Sequence, residues 1–223
     1  SIKTIKASLV AMNTSLSKED RLELMGLSLR NVEVKVINKK KKIIFNEFGE
    51  MLFTHFGISG PIILSASSYM KDAEDYTIYL DLKPVLNEEQ LDNKLLMLFE
   101  EEHLKSIGKV LEKLLPKKLI NIFLKAIDLD YYKKACDITK LERTAIINNL
   151  KHFNLKYNSL RDIDEAIITA GGVNVKEIDP KTMESKLVNK LYIVGEVLDI
   201  DALTGGYNLQ IAFSTAYQAA MSI

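Results

Sequence analysis

With a single cysteine, Cys136, the chain has no means of forming an internal disulfide. Its three histidines, His55, His103 and His152, lie far apart without ligand spacing, so no metal site is expected. No apolar run approaches the roughly 20 residues that span a bilayer. The first residues, SIKTIKASLVAM, also lack the charged-then-apolar order of a signal peptide, and a cytoplasmic protein without a membrane partner is expected. Neither sign of charge dominates: 30 Lys and Arg balance 30 Asp and Glu, which leaves no overall field to recruit a polyanion. A nucleic-acid partner is therefore not expected. Also missing is any glycine-rich phosphate loop of the G-x-G-x-x-G kind.

What is present suits an ordinary globular chain. Its 223 residues, 47% apolar and 27% charged, allow one large domain or two small ones. The first third carries strand signals: KTIKASLVAM, then LRNVEVKVIN with Val32, Val34 and Val36 alternating, then KKIIFNEFGEMLFTHFG. The tetralysine Lys39–Lys42 lies between two of these runs and reads as a solvated hairpin turn. Pro61 suits the first turn of a helix after Ser59 and Gly60, and YTIYLDL is a further strand.

From Asn87 the period becomes helical. Asn87 and Gln90 form a capping signal ahead of Leu91, Leu95, Leu98 and Phe99. A second helix is expected from Pro116 with Leu119, Phe123 and Ile127 on one face. A third opens on Thr139 and Glu142 and carries Leu141, Ala145 and Leu150. Strand character returns in FNLKYNSL and EAIITAGGVNV. The run KLYIVGEVLD predicts a short strand, apolar over Leu191–Val194, of the kind buried inside a parallel sheet. Last comes a helix with Leu209, Ala212, Phe213, Ala216 and Ala220, which needs a sheet to cover. Such a strand needs parallel neighbours that the rest of the sequence does not supply, so the chain reads as cut from a longer protein.

Three blocks, GEMLFTHFGISGPIILSAS, ITAGGVNVKEIDPKTMESKL and LYIVGEVLDIDALTGGYNLQIAFSTA, resemble signature stretches of the aminoacetone-oxidase-like (BaiN-like) family of NAD(P)/FAD-dependent flavoproteins, in that family's order. Where the family usually has proline, Ala7 stands in KASLVAM. The resemblance implies an α+β fold: a β-barrel-like insert domain carrying a small helical bundle, plus the C-terminal strand-helix piece of a Rossmann-like FAD domain. The corresponding boundaries are 1–84 for the barrel part, 85–152 for the bundle, 153–176 for the return to the barrel and 177–223 for the incomplete FAD segment. It implies FAD as cofactor and a small-molecule substrate, either an amino-ketone oxidised with O₂ or an enone-type compound reduced with NAD(P)H. The first FAD-binding segment would lie on polypeptide outside this chain, and the piece alone would be inactive.

By position within those blocks, the resemblance implies that Gly195 lets the backbone approach the flavin and that Glu196, with Asp199 nearby, takes the ribityl hydroxyls. A carboxylate suits this, since hydrogen bonds to an ionised acceptor are the stronger kind. Gly205, Gly206, Tyr207, Asn208, Leu209 and Gln210 open the last helix, where free N–H groups and the dipole favour the negative charge of a reduced flavin. Thr54, Ser59, Gly60, Thr169, Gly171 and Gly172 are expected on the substrate side, with His55 as the group that handles a proton. Two rivals stand beside this reading. Asp199 and Asp201 form a D-x-D pair that could hold Mg²⁺ in a phosphatase-like site. A non-enzymatic module that binds a protein, or self-associates through apolar surface left uncovered, is the other.

Overall fold

The structure, a computed structural model, describes residues 1–71 and 74–223. Strands β1 (Ile2–Ser8) and β2 (Met12–Thr14) lead into helix α1 (Lys18–Leu24). The hairpin β3 (Ser28–Asn38) and β4 (Ile43–Phe53) follows, then β5 (Gly57–Ser59), α2 (Pro61–Ser68) and β6 (Tyr76–Asp81). Next come four helices, α3 (Glu88–Glu101), α4 (Ile107–Leu111), α5 (Lys117–Lys125) and α6 (Lys140–Lys151). Strands β7 (Phe153–Leu160) and β8 (Ile168–Val173) and the terminal helix α7 (Tyr207–Ala220) complete the chain. It divides into two units: Asn13–Ile62 with Ala73–Asn158, and Ser1–Met12 with Ile63–Asp72 and Ser159–Ile223.

The first unit is built on a closed barrel of strand order β2-β5-β4-β3-β6-β7. Alternation fixes its inside: Val32, Val34 and Val36 of β3 are buried, as are Ile78 and Leu80 of β6, one residue in two. The β3–β4 turn is the tetralysine, closed by Asn38, whose Oδ1 accepts the Lys40 and Lys42 amides at 3.1 and 3.0 Å. Its lysines are exposed, as the hairpin reading requires.

Helices α3 and α6 start where their capping boxes place them. Asn87 and Gln90 bond reciprocally, and so do Thr139 and Glu142. Lys133 and the Thr139 amide hold the Glu142 carboxyl below its usual range, Lys133 being the larger cause. Helix α5 buries Leu119, Ile120, Ile122, Phe123 and Leu124, and the Phe123 ring stacks on Phe153 of β7, 6.2 Å apart and 13° from parallel. The Asn149 side chain is buried and donates to the Phe123 carbonyl at 3.0 Å. Lys151 is paired with Asp81 at 2.5 Å, both largely buried, and also donates to the Leu86 carbonyl at 2.8 Å.

Three sequence expectations need correction. Leu141 is 83% exposed, because α6 buries Ile146, Ile147 and Leu150, and five residues before Ile146 is about 140° around the helix. Ile127 lies past the end of α5, where Asp128 at φ 53° turns the chain and Leu129 N–H returns to the Leu124 carbonyl at 3.1 Å. Leu191–Val194 is no strand. Tyr192 makes one isolated antiparallel bridge with Glu184, and Ile193 N–H donates to the Met183 carbonyl at 3.1 Å. Among the described residues no parallel sheet lies beside it, so a neighbouring loop takes these backbone groups instead.

The second unit pairs β1 with β8 antiparallel. A small core of Ile178, Met183, Leu198 and Ala219 gathers Val173, Tyr192, Ile193 and Val194 around it. Inside α2, the buried Ser67 hydroxyl accepts the Val10 amide at 2.9 Å. Among the described residues no helix is long and apolar enough to cross a membrane.

Candidate functional site

The two glycines of ITAGGV set the geometry of the second unit. Gly171 has φ 94° and Gly172 has φ 119°. A Cβ on Gly171 would sit 2.2 Å from the Thr4 carbonyl oxygen, and one on Gly172 would sit 2.5 Å from the Val197 carbonyl oxygen. Only glycine lets both β1 and the 3₁₀ turn Gly195–Val197 lie this close to β8. The turn is then held in place: Val173 and Leu198 form a parallel bridge, and Asp199 N–H donates to the Val173 carbonyl at 2.8 Å.

Glu196 lies in that turn. Its Oε1 accepts the Thr169 amide at 2.6 Å and the Thr169 hydroxyl at 3.2 Å, so the middle and last sequence blocks meet at this carboxylate. Gly195, at φ 65°, donates its N–H to the Thr215 hydroxyl of α7 at 3.0 Å. Asp199 pairs with Lys3, and Asp201 accepts the Ser8 hydroxyl at 3.0 Å. The D-x-D carboxylates are thus engaged by different partners on β1. Among the described residues no group of three or more His, Cys, Asp or Glu side chains is placed to hold a metal ion.

The loop before α7 is clamped by Asn208. Its Oδ1 accepts the Ala202 amide and its Nδ2 donates to the Ala202 carbonyl, each at 2.8 Å, which copies a strand pairing with a side chain. Asn208 therefore fixes the loop rather than capping the helix, whose N-cap is Gly206 at φ 86°. The first intrahelical bond runs from Gln210 N–H to the Gly206 carbonyl at 3.0 Å, so Tyr207, Asn208 and Leu209 present their N–H groups ahead of it. Gly205 and Gly206 are exposed at this end. Along α7 and onto its C-cap Met221, the residues Leu209, Phe213, Tyr217 and Met221 recur every four positions and are all more than 60% exposed, one apolar stripe open to solvent.

The block GEMLFTHFGISGP belongs to the barrel unit. Thr54 closes the β4–β5 turn by accepting the Gly57 amide at 3.1 Å, and His55 is exposed in that turn, edge-on to Phe56 at 5.0 Å. Ser59 pairs with Leu52, and a Cβ on Gly60 would sit 2.9 Å from Met51 Cα. The structure thus gathers Thr169, Gly171 and Gly172 with Gly195, Glu196 and Asp199 in one unit, and Thr54, His55, Ser59 and Gly60 in the other. Sequence reasoning missed Lys3, Ser8 and Thr215, which orient Asp199, Asp201 and Gly195. They stand in ordinary strand and helix positions, and no short-range pattern marks them.

Residues 6–168 match the family described as HI0933-like protein barrel and H2TH domain. The chain belongs to this family. The sequence expectation of a barrel carrying helices agrees with it. The chain is 37% identical to a ribosomal RNA dihydrouridine synthase of Haemophilus influenzae over 79% of its own length and 42% of that protein's. It is 32% identical to a ribosomal RNA dihydrouridine synthase of Escherichia coli, over 84% of the chain and 45% of that protein. It is also 27% identical to a 3-dehydro-bile acid delta(4,6)-reductase of Clostridium scindens, over 80% of the chain and 45% of that protein. The chain therefore spans less than half the length of these relatives.

Proposed function

We propose that the chain is the barrel and closing segment of a longer flavin-dependent reductase, which adds two hydrogens across a C=C bond conjugated to a carbonyl. The observation that carries the reading is the Glu196–Thr169 pairing across the close approach that Gly171 and Gly172 permit. It brings two of the flavoprotein-like blocks into one cradle. The relatives' names support the choice of reaction. A uracil ring and a 3-keto-4,6-diene steroid differ in nearly everything except a C=C bond activated by a carbonyl, which favours reduction over the oxidation of an amine.

The residues present fit FAD. Glu196 Oε1 is taken by Thr169, which leaves Oε2 to accept from a ribityl hydroxyl, with Asp199 beside it on the same stretch. Gly195, Gly205 and Gly206 carry no side chain to hold a ring away, and the N–H groups of Tyr207, Asn208 and Leu209 favour negative charge by about 0.3–1 kcal/mol. Leu209 and Gln210 continue the same first turn. FAD reduced by NAD(P)H would supply the hydride. Thr169, Gly171 and Gly172 belong to the substrate side of their unit in this reading, and the carbon next to the carbonyl takes its proton from a general acid, for which His55, with Thr54, Ser59 and Gly60 around it, is the candidate that the barrel unit offers. The α7 stripe is the face that the remainder of the longer polypeptide covers, and the piece alone is inactive.

The test is anaerobic turnover by the longer polypeptide. Reduced with NADPH or NADH, it should be reoxidised by a conjugated enone or by uridine-bearing ribosomal RNA, and the product should gain two hydrogens. Reoxidation by O₂ with release of an imine from an added amine, and none by either unsaturated substrate, would overturn the reductase reading.

A further inference from the structure

The neutrality of the whole chain hides an uneven distribution. Residues 105–134 hold eight lysines against three acidic residues, Glu112, Asp128 and Asp130; Lys105, Lys109, Lys113, Lys125 and Lys133 are ion-paired with Glu102, Glu112, Glu101, Asp20 and Glu142, which leaves Lys117, Lys118 and Lys134 outside those pairs. This stretch runs through α4 and α5 to the loop after them, all within the barrel unit. There the surface opens into a cleft of about 570 Å³ lined by Lys109, Lys117, Lys118, Asn121, Tyr131, Tyr132 and Glu23, in which Glu23 accepts from Asn121 at 3.1 Å and Lys109 is paired with Glu112 at 2.9 Å. We infer that this cleft binds a single-stranded stretch of RNA, with the lysines on its phosphates and Tyr132 stacked on a base. The inference deepens the reading above by giving the RNA a binding surface on this chain.

Four observations favour it. Tyr132 is 79% exposed and stands edge-on to Tyr131, ring centroids 5.2 Å apart, so its face is free to take a flat ring. The pair is held in advance. A Cβ on Gly108 would fall 2.1 Å from the Tyr131 ring, so that ring lies directly on the α4 backbone. Gly108 N–H donates to the Tyr131 carbonyl at 3.1 Å and Ile107 N–H to the Lys133 carbonyl at 2.8 Å, which ties the tyrosine loop to the helix. A platform already ordered loses little entropy on binding. Finally, lysines interleaved with an exposed aromatic match what single-stranded nucleic acid needs: charge along the backbone and a stacking face for the bases. An acidic peptide would use the lysines and leave Tyr132 idle. The inference departs here from the sequence expectation of no nucleic-acid partner, which rests on whole-chain charge.

The test is fluorescence anisotropy of the 223-residue chain with a labelled single-stranded RNA of about 16 nucleotides, the upper end of common site sizes. Binding should weaken with salt. The double variant Lys117→Ala/Lys118→Ala should flatten the log–log salt slope by about 1.4, at about 0.7 per lost phosphate contact on a single strand. Tyr132→Leu should weaken binding about five- to a hundredfold, the loss of one stacked base, with the slope unchanged. Lys39→Ala/Lys40→Ala, in the β3–β4 turn, should leave binding intact. Loss on the turn variant alone, indifference to the cleft variants, or polyglutamate competing as well as RNA with Tyr132→Leu silent would overturn the inference. Failure here with enone reduction intact in the longer polypeptide removes only the RNA surface. RNA binding without reductase activity removes only the catalytic reading.

Discussion

Gly172→Ala is expected to loosen the candidate site by about 3 kcal/mol while leaving the barrel strands protected, since a non-glycine residue in a glycine-only backbone region costs about 1–3 kcal/mol before any clash is counted. The clash here is with the Val197 carbonyl oxygen, 2.5 Å from the new methyl group, and a backbone atom has no rotamer to escape into. Relief requires the Gly195–Val197 turn to back away from β8. That motion breaks the Val173–Leu198 bridge, the hydrogen bond that Asp199 N–H donates to the Val173 carbonyl and the grip of Glu196 on Thr169. Hydrogen exchange at the Asp199 and Thr169 amides should accelerate by about a hundredfold or more, at 1.4 kcal/mol per tenfold. Gly206→Ala is the internal control: its φ is 86°, but its Cβ would meet nothing within 4 Å, so only the strain remains. Equal effects of the two substitutions would mean that close approach at β8 does not organise the site.

Phe123→Ala should destabilise the barrel unit by about 3–5 kcal/mol, the range for a large aromatic removed from a packed core. Phe123 is 0% exposed and stacks on Phe153, so truncation leaves a cavity between α5 and β7. The neighbours have little freedom to collapse into it. The Phe123 carbonyl is held by the buried Asn149 amide, and the β7 backbone is fixed by its ladder with β6. In urea, the unfolding midpoint should fall while the slope stays constant, because the area exposed on unfolding hardly changes. A cost near 1 kcal/mol would mean that the helices are only loosely attached to the barrel.

Strands and caps were legible because their signals are local. Alternation at Val32, Val34 and Val36 gave β3, and the Asn87/Gln90 and Thr139/Glu142 spacings gave the starts of α3 and α6. The short helices α1 and α4 escaped notice, as seven and five residues are too few for a period to declare itself. Leu191–Val194 misled for the opposite reason. An apolar tetrad is consistent with a buried strand, but whether it becomes one depends on neighbours that sequence pattern does not specify. At the site, the glycines of ITAGGV and VGEVLD were visible as motifs. That Gly172 faces the Val197 carbonyl, and that Thr169 takes Glu196, are long-range facts with no trace in local spacing. The grouping of Lys117 and Lys118 with Tyr131 and Tyr132 in one cleft was hidden in the same way, since thirty charges of each sign cancel over the chain and no spacing marks which lysines share a surface.

The most direct measurement is the visible absorption spectrum of the longer polypeptide, purified and then titrated with FAD, beside its Glu196→Ala variant. The account predicts bound oxidised flavin in the parent and an affinity about 10- to 100-fold weaker in the variant, the loss of a hydrogen bond to a charged acceptor worth about 1.5–3 kcal/mol. A colourless parent that ignores added FAD, or a variant that holds it as tightly as the parent, would contradict it.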